Sequence, residues 1–155
     1  MKYFGATLGL LVLLACAGEK YYATPEATLE RYIENKGMGS AMQVEATMNC
    51  FTRDNKEWWL NNSQLICELK NGKFSSMCGE SAANKSAIWN DLFEHRGPKS
   101  TTVSSTNIDE KEGLATLVVD GVEVYFVYEN SNWKLDGFFG VQEELEAQYP
   151  QLKGT

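Results

Sequence analysis

The sequence predicts an α+β domain in which N-terminal helices pack on an antiparallel meander of four or more strands. Three observations predict it. Apolar residues recur at helical spacing behind cap signals from Thr24 to Leu60, with Leu29, Tyr32 and Ile33 on the first stripe. A second helical block carries Ile88, Trp89, Leu92 and Phe93. Period-two alternation then takes over on both sides of Asp120-Gly121, a strong two-residue hairpin signal.

Each element follows in order. Thr24-Pro25-Glu26 supplies a cap, a proline at the first helical position and an acid in the first turn, and Gly37 stops that helix after Lys36. Ser40 caps a second helix with Ala41, Val44, Met48 and Phe51 on one stripe. Asp54 with Glu57 resembles a capping box for a third, short turn carrying Trp58, Trp59 and Leu60. From Asn61 to Lys99 two patterns compete. Leu65, Cys67 and Leu69 alternate ahead of Asn71-Gly72, which favours a hairpin returning through Phe74 to Cys78, although a helix from Ser63 to Lys70 fits nearly as well. Ser81 to His95 is helical and ends at Gly97-Pro98.

The meander begins at Thr101 to Asp109, continues through Leu114 to Val119 and Val122 to Glu129, and ends with Trp133 to Phe139. The two-residue turn sets the register: Val119 faces Val122, Leu117 faces Val124, and Ala115 faces Phe126 on an apolar side that lies under the helices. The other side carries Thr116, Val118, Glu123, Tyr125, Val127 and Glu129, a mixed set suited to water, a partner or a pocket.

Composition excludes several functions. The chain has 155 residues, 43% of them hydrophobic, with 14 Lys and Arg against 21 Asp and Glu, four Cys and one His. It can build one packed core, and its net charge of −7 argues against nucleic acid as a partner. The uncharged, mostly apolar run from Tyr3 to Ala15 is too short to span a bilayer comfortably and reads as the core of an export signal. It ends in Leu13-Leu14-Ala15-Cys16, which resembles the lipobox of bacterial lipoproteins. That resemblance implies cleavage before Cys16, lipid on Cys16, and membrane anchoring of a mature chain with net charge −8. An ordinary cleaved signal and an uncleaved anchor are the alternatives. Ala17-Gly18 after the cysteine is similar to the pattern of cargo sent to the outer membrane in Gram-negative bacteria. The chain then divides into a signal (1–15), a lipidated tether facing the periplasm or cell exterior (16–23), the folded domain (24–140) and an acidic helical tail (141–155) with Glu143, Glu144 and Glu146.

Helices followed by an antiparallel meander ending in Trp133-Lys134-Leu135-Asp136-Gly137, with Thr24 to Tyr32 at the start, resemble the cone-like α+β domain of the nuclear transport factor 2-like superfamily. The matching stretches cover about a fifth of the mature chain. The resemblance implies a strongly curved sheet and a cavity between helices and sheet. In some members that cavity is an isomerase or dehydratase site, in others a pocket for a small ligand or a protein.

Candidate site residues are few. Cys50, Cys67 and Cys78 belong to an oxidising compartment if the chain is exported. The hairpin would set Cys67 opposite Cys78, the preferred bridge; three reduced, buried thiols, or Cys50 paired with one of the others, are the alternatives. No two cysteines stand two to four residues apart, which speaks against zinc, and no cofactor motif occurs. His95, the only imidazole, suits the end of a helix as a surface or capping residue; as a general base it would work with Asp91, one turn earlier. Trp58, Trp59, Trp89, Tyr125, Tyr128 and Trp133 are core residues or the wall of a partly open pocket. The favoured function is a non-enzymatic, lipid-anchored module binding a protein or small ligand. A cone-fold enzyme using Asp91 and His95, and a structural envelope lipoprotein, are its rivals.

Overall fold

Helices come first and sheet second in the computed structural model, which describes residues 22–36, 40–72, 76, 78 and 81–152. Residues 1–21, on which the expected signal, Cys16 and most of the expected tether fall, and Gly37 lie outside the described residues. Four helices, α1 (Pro25–Asn35), α2 (Ala41–Met48), α3 (Arg53–Asn71) and α4 (Ala82–Phe93), precede strands β1 (Val103–Asp109), β2 (Leu114–Val119), β3 (Val122–Glu129) and β4 (Asn132–Asp136). Helix α5 (Val141–Gln148) and a single 3₁₀ turn, Pro150–Leu152, follow.

Local sequence explains most boundaries. Thr24 Oγ1 accepts from the Ala27 amide at 3.1 Å, with Pro25 in the first turn. Ser40 and Gln43 form a reciprocal capping box on α2. The Ser81 hydroxyl accepts from Asn84 N at 3.2 Å to open α4. That helix ends at Phe93, two residues before the expected His95.

The segment from Asn61 to Cys78 is a correction. No hairpin forms among its described residues, and the short third turn and the following stretch are one helix of 19 residues, α3. Thr52 caps it by accepting from Asn55 N, in place of the box expected from Asp54 and Glu57. The reason is burial. Asn55, Trp58, Trp59, Asn62, Ser63, Ile66 and Cys67 fall three or four apart on one buried stripe, and that continuous face outweighs the three-point alternation of Leu65, Cys67 and Leu69. Asn71-Gly72 therefore stops a helix, with the Gly72 amide bonded to Glu68 O, and turns no hairpin.

The sheet is antiparallel in the order β1-β2-β3-β4, with Val119 opposite Val122, Leu117 opposite Val124 and Ala115 opposite Phe126. Asp120 (φ 53°) and Gly121 (φ 77°) both occupy the left-handed region that a tight hairpin turn needs. The free edge of β4 is covered. Leu135 N donates to Cys50 O at 2.7 Å and Thr52 N to Leu135 O at 3.0 Å, so the link between α2 and α3 runs parallel to β4. The edge of β1 is unpaired among the described residues, and nearly all of that strand is exposed.

Helices cover one face of the sheet. The Thr28 hydroxyl on α1 donates to Trp133 O at 2.8 Å, and Leu29, Tyr32, Leu117, Phe126 and Leu135 close the core between the layers. Complete burial of such side chains contributes about 2 kcal/mol each. The expected acidic helical tail is packed on the domain as far as it is described: Val141, Leu145 and Leu152 are buried, and Trp58 Nε1 donates to Glu146 at 2.9 Å.

Candidate functional site

The six aromatic candidates do not line one pocket. Trp58, Trp59 and Trp89 are buried among Phe93 and Phe138, with Trp89 stacked on Phe93 at 4.1 Å and Trp59 edge-on to Trp89 at 5.1 Å. Helical spacing on α3 and α4 aims them inward, where they form an aromatic core. Trp133 is buried, with the half-exposed Tyr128 ring at 5.3 Å, and both line a shallow hollow of about 290 Å³. Tyr125 stands apart on the open face, half exposed.

Asp91 and His95 share a cleft of about 330 Å³ between α4 and α5. Both side chains are exposed, and the Asp91 carboxylate is engaged by Lys70 Nζ at 2.7 Å. Arg96 and Glu144, 2.6 Å apart, form a second ion pair on the same wall. The cleft is an ion-paired seam joining α3, α4 and α5. No hydrogen bond joins His95 to Asp91, so the contact a paired base and orienting acid require is absent among the described residues.

Cys67 and Cys78 form the disulfide that the sequence favoured, with Cα atoms 5.4 Å apart. The geometry differs from the expectation: the bridge ties the last turns of α3 to the segment after it rather than closing a hairpin. Cys50 remains a free thiol with no exposed surface, and burial pushes its pKa up to about 12. It is therefore a packed apolar group with little nucleophilic character. Among the described residues no three His, Cys, Asp or Glu side chains converge as metal ligands.

The largest cleft among these, about 560 Å³, lies where the β3 and β4 ends meet the start of α5. Its polar groups are the carboxylates of Glu123, Asp136 and Glu143 together with Tyr125, Gln142 and Asn55. The Tyr125 hydroxyl donates to Glu123, and that bond to a carboxylate raises the phenol pKa. Asn55 Oδ1 accepts from both Thr52 Oγ1, at 2.7 Å, and Gly137 N, at 3.0 Å, and so fixes the turn after β4. One backbone device shapes the rim. Phe139 sits at φ 52°, unusual for a bulky residue, and its ring lies against Gly97, where an added Cβ would come within 2.8 Å of it. Chemically the cleft offers acceptors to a donor-rich or cationic group.

Sequence reasoning missed this cleft except for Tyr125. Gly97-Pro98 was legible only as the end of a helix, and Asp136-Gly137 only as the end of a strand; that they meet at one rim is a tertiary fact. None of the described helices is long and apolar enough to cross a membrane. Comparison with protein-family models, curated protein sequences and solved structures finds no significant match.

Proposed function

We propose that the chain is a non-enzymatic binding module held outside the cytoplasm of a bacterial cell by lipid on Cys16. The observation that carries this reading is the Cys67–Cys78 bridge in the domain that follows the Leu13 to Cys16 motif. Disulfides persist in oxidising compartments, so the bridge supports export on grounds independent of the motif. The order of helices and meander supports placing the domain in the nuclear transport factor 2-like superfamily, whose members hold ligands in concave sites. Here several clefts lie around the domain.

Fractionation of cells expressing the full chain tests the tether. The native protein should sediment with membranes and Cys16→Ser should not; membrane retention of the variant would refute lipid anchoring. Native mass spectrometry of the protein purified without reductant tests binding, because a co-purifying ligand adds mass that disappears on denaturation.

The structural-lipoprotein reading draws on the open sheet face, where Leu114 and Tyr125 are about half exposed. In-cell cross-linking separates it from the first: one stable protein partner would favour it, and only diverse neighbours would count against it.

A further inference from the structure

Trp59 has neighbours that its place in the sequence did not reveal. With Val44 and Met48 of α2 and Leu60 of α3 it forms the apolar wall of a cleft of about 330 Å³ between α2, α3 and α4. The charged groups on this cleft are Lys56, Lys85 and Glu45, an excess of positive charge in a chain whose net charge is −7. Among the described residues neither lysine is in an ion pair, and Lys56 Nζ donates only to Asn49 Oδ1 at 2.8 Å. Ser86, on the α4 wall, is 3% exposed, and its hydroxyl has no hydrogen-bond partner among the described residues. Buried hydroxyls are normally satisfied, so an orphan beside the cleft is a polar group with bonding capacity left over.

An apolar wall, two ammonium groups against the single carboxylate of Glu45, and an orphan hydroxyl complement a small amphipathic anion. We propose that this cleft binds a medium-chain alkyl carboxylate, its tail along Leu60, Met48 and Val44 and its head between Lys56 and Lys85. The size agrees. A cleft of about 330 Å³ lies at the lower end of the range that small ligands occupy, and a ten-carbon chain serves as the probe of that class. A cation of the same length would meet the two lysines, and a neutral alcohol would gain nothing from them. The proposal deepens the binding-module reading and rests on it for the setting alone.

The test is calorimetric titration of the purified full chain carrying Cys16→Ser with decanoate, decanol and decyltrimethylammonium, each below its micellar concentration. Decanoate should saturate at one site and bind about tenfold tighter than decanol, the ordinary yield of two partly exposed charge pairs, and the cation should not saturate. Lys56→Gln with Lys85→Gln should bring decanoate down to the affinity of decanol. Ser86→Ala should weaken decanoate while leaving the melting temperature of the free protein unchanged or higher, a split that a purely structural serine would not give. Similar binding of all three probes, no saturable decanoate binding, or decanoate affinity indifferent to the lysines would overturn the proposal. Each of those results is compatible with membrane anchoring, which the fractionation experiment reads separately.

Discussion

Breaking the Cys67–Cys78 bridge gives the sharpest quantitative expectation. The two cysteines are 11 positions apart, so the bond closes a loop of about a dozen residues in the unfolded chain. Chain-entropy arithmetic for that length gives about 9 cal/mol/K, or about 3 kcal/mol at 25 °C. Unfolding entropy near 2.1 cal/mol/K per residue over about 130 residues converts this to a loss of about 10 °C in melting temperature. Cys78→Ala is the informative variant because Cys78 is only partly buried, whereas Cys67 is 1% exposed and its truncation would add a cavity. Thermal and urea unfolding should be followed for the wild type with and without reductant and for the variant. Reduced wild type and Cys78→Ala should coincide, both well below the oxidised protein, and both should show a larger urea slope because the uncrosslinked unfolded chain exposes more surface. Melting temperatures within about 3 °C of one another in all three samples would refute the assignment of a stabilising bridge.

Three further expectations concern the core and the rim. Burial raises the pKa of Cys50 to about 12 and that of Tyr32 further, so folding favours both groups in their neutral forms. Their contribution is complete below pH 9.0, the ordinary thiol value, and is lost as pH rises toward 12; stability should fall by up to about 1.4 kcal/mol per pH unit for each group titrating only in the unfolded chain. Alkaline melts should show this decline, and because the Tyr32 hydroxyl is buried without a partner among the described residues, Tyr32→Phe should melt no lower than wild type at pH 7 and decline less steeply above pH 10. Flat stability from pH 8 to 11 would contradict the burial of both. Gly97→Ala combines a positive φ of 69° with a Cβ 2.8 Å from the Phe139 ring and should cost about 2 kcal/mol in urea unfolding; an unchanged midpoint would mean Phe139 is not seated there. Leu152→Ala should cost about 2–5 kcal/mol because Leu152 has no exposed surface, whereas a merely appended tail would leave the midpoint unmoved.

Much of the architecture was legible because its signals are local. Thr24, Ser40 and Ser81 each sit at a helix start with a side-chain acceptor for an orphan amide, which the chain reveals without tertiary context. Asp120-Gly121 specified both turn and register, since two left-handed residues leave one way to pair the flanking strands. α3 was misread where local signals conflict: Asn71-Gly72 can turn a hairpin or stop a helix, and only the stripe from Asn55 to Cys67, buried against the other elements, selects the helix. The bridge survived that error. Helix or hairpin, a loop of this length can bring Cys67 and Cys78 within bonding distance.

The candidate sites divide along the same line. Residue types, charge and the lipobox resemblance are carried by the sequence itself, because an export signal and a cap work through their near neighbours. Which aromatic side chain packs in the core and which faces solvent was decided by the tertiary structure: Trp89 meets Phe93 and Phe138, while Tyr125 points away from them on the opposite side of the sheet. Lys56 and Lys85 are far apart in the chain and acquire a common meaning only when α2, α3 and α4 close around Trp59. Short-range hydrogen bonds and steric limits act within a few residues, so sequence determined the elements. Clefts are made by packing between elements distant along the chain, so only the folded structure decided where a ligand could sit.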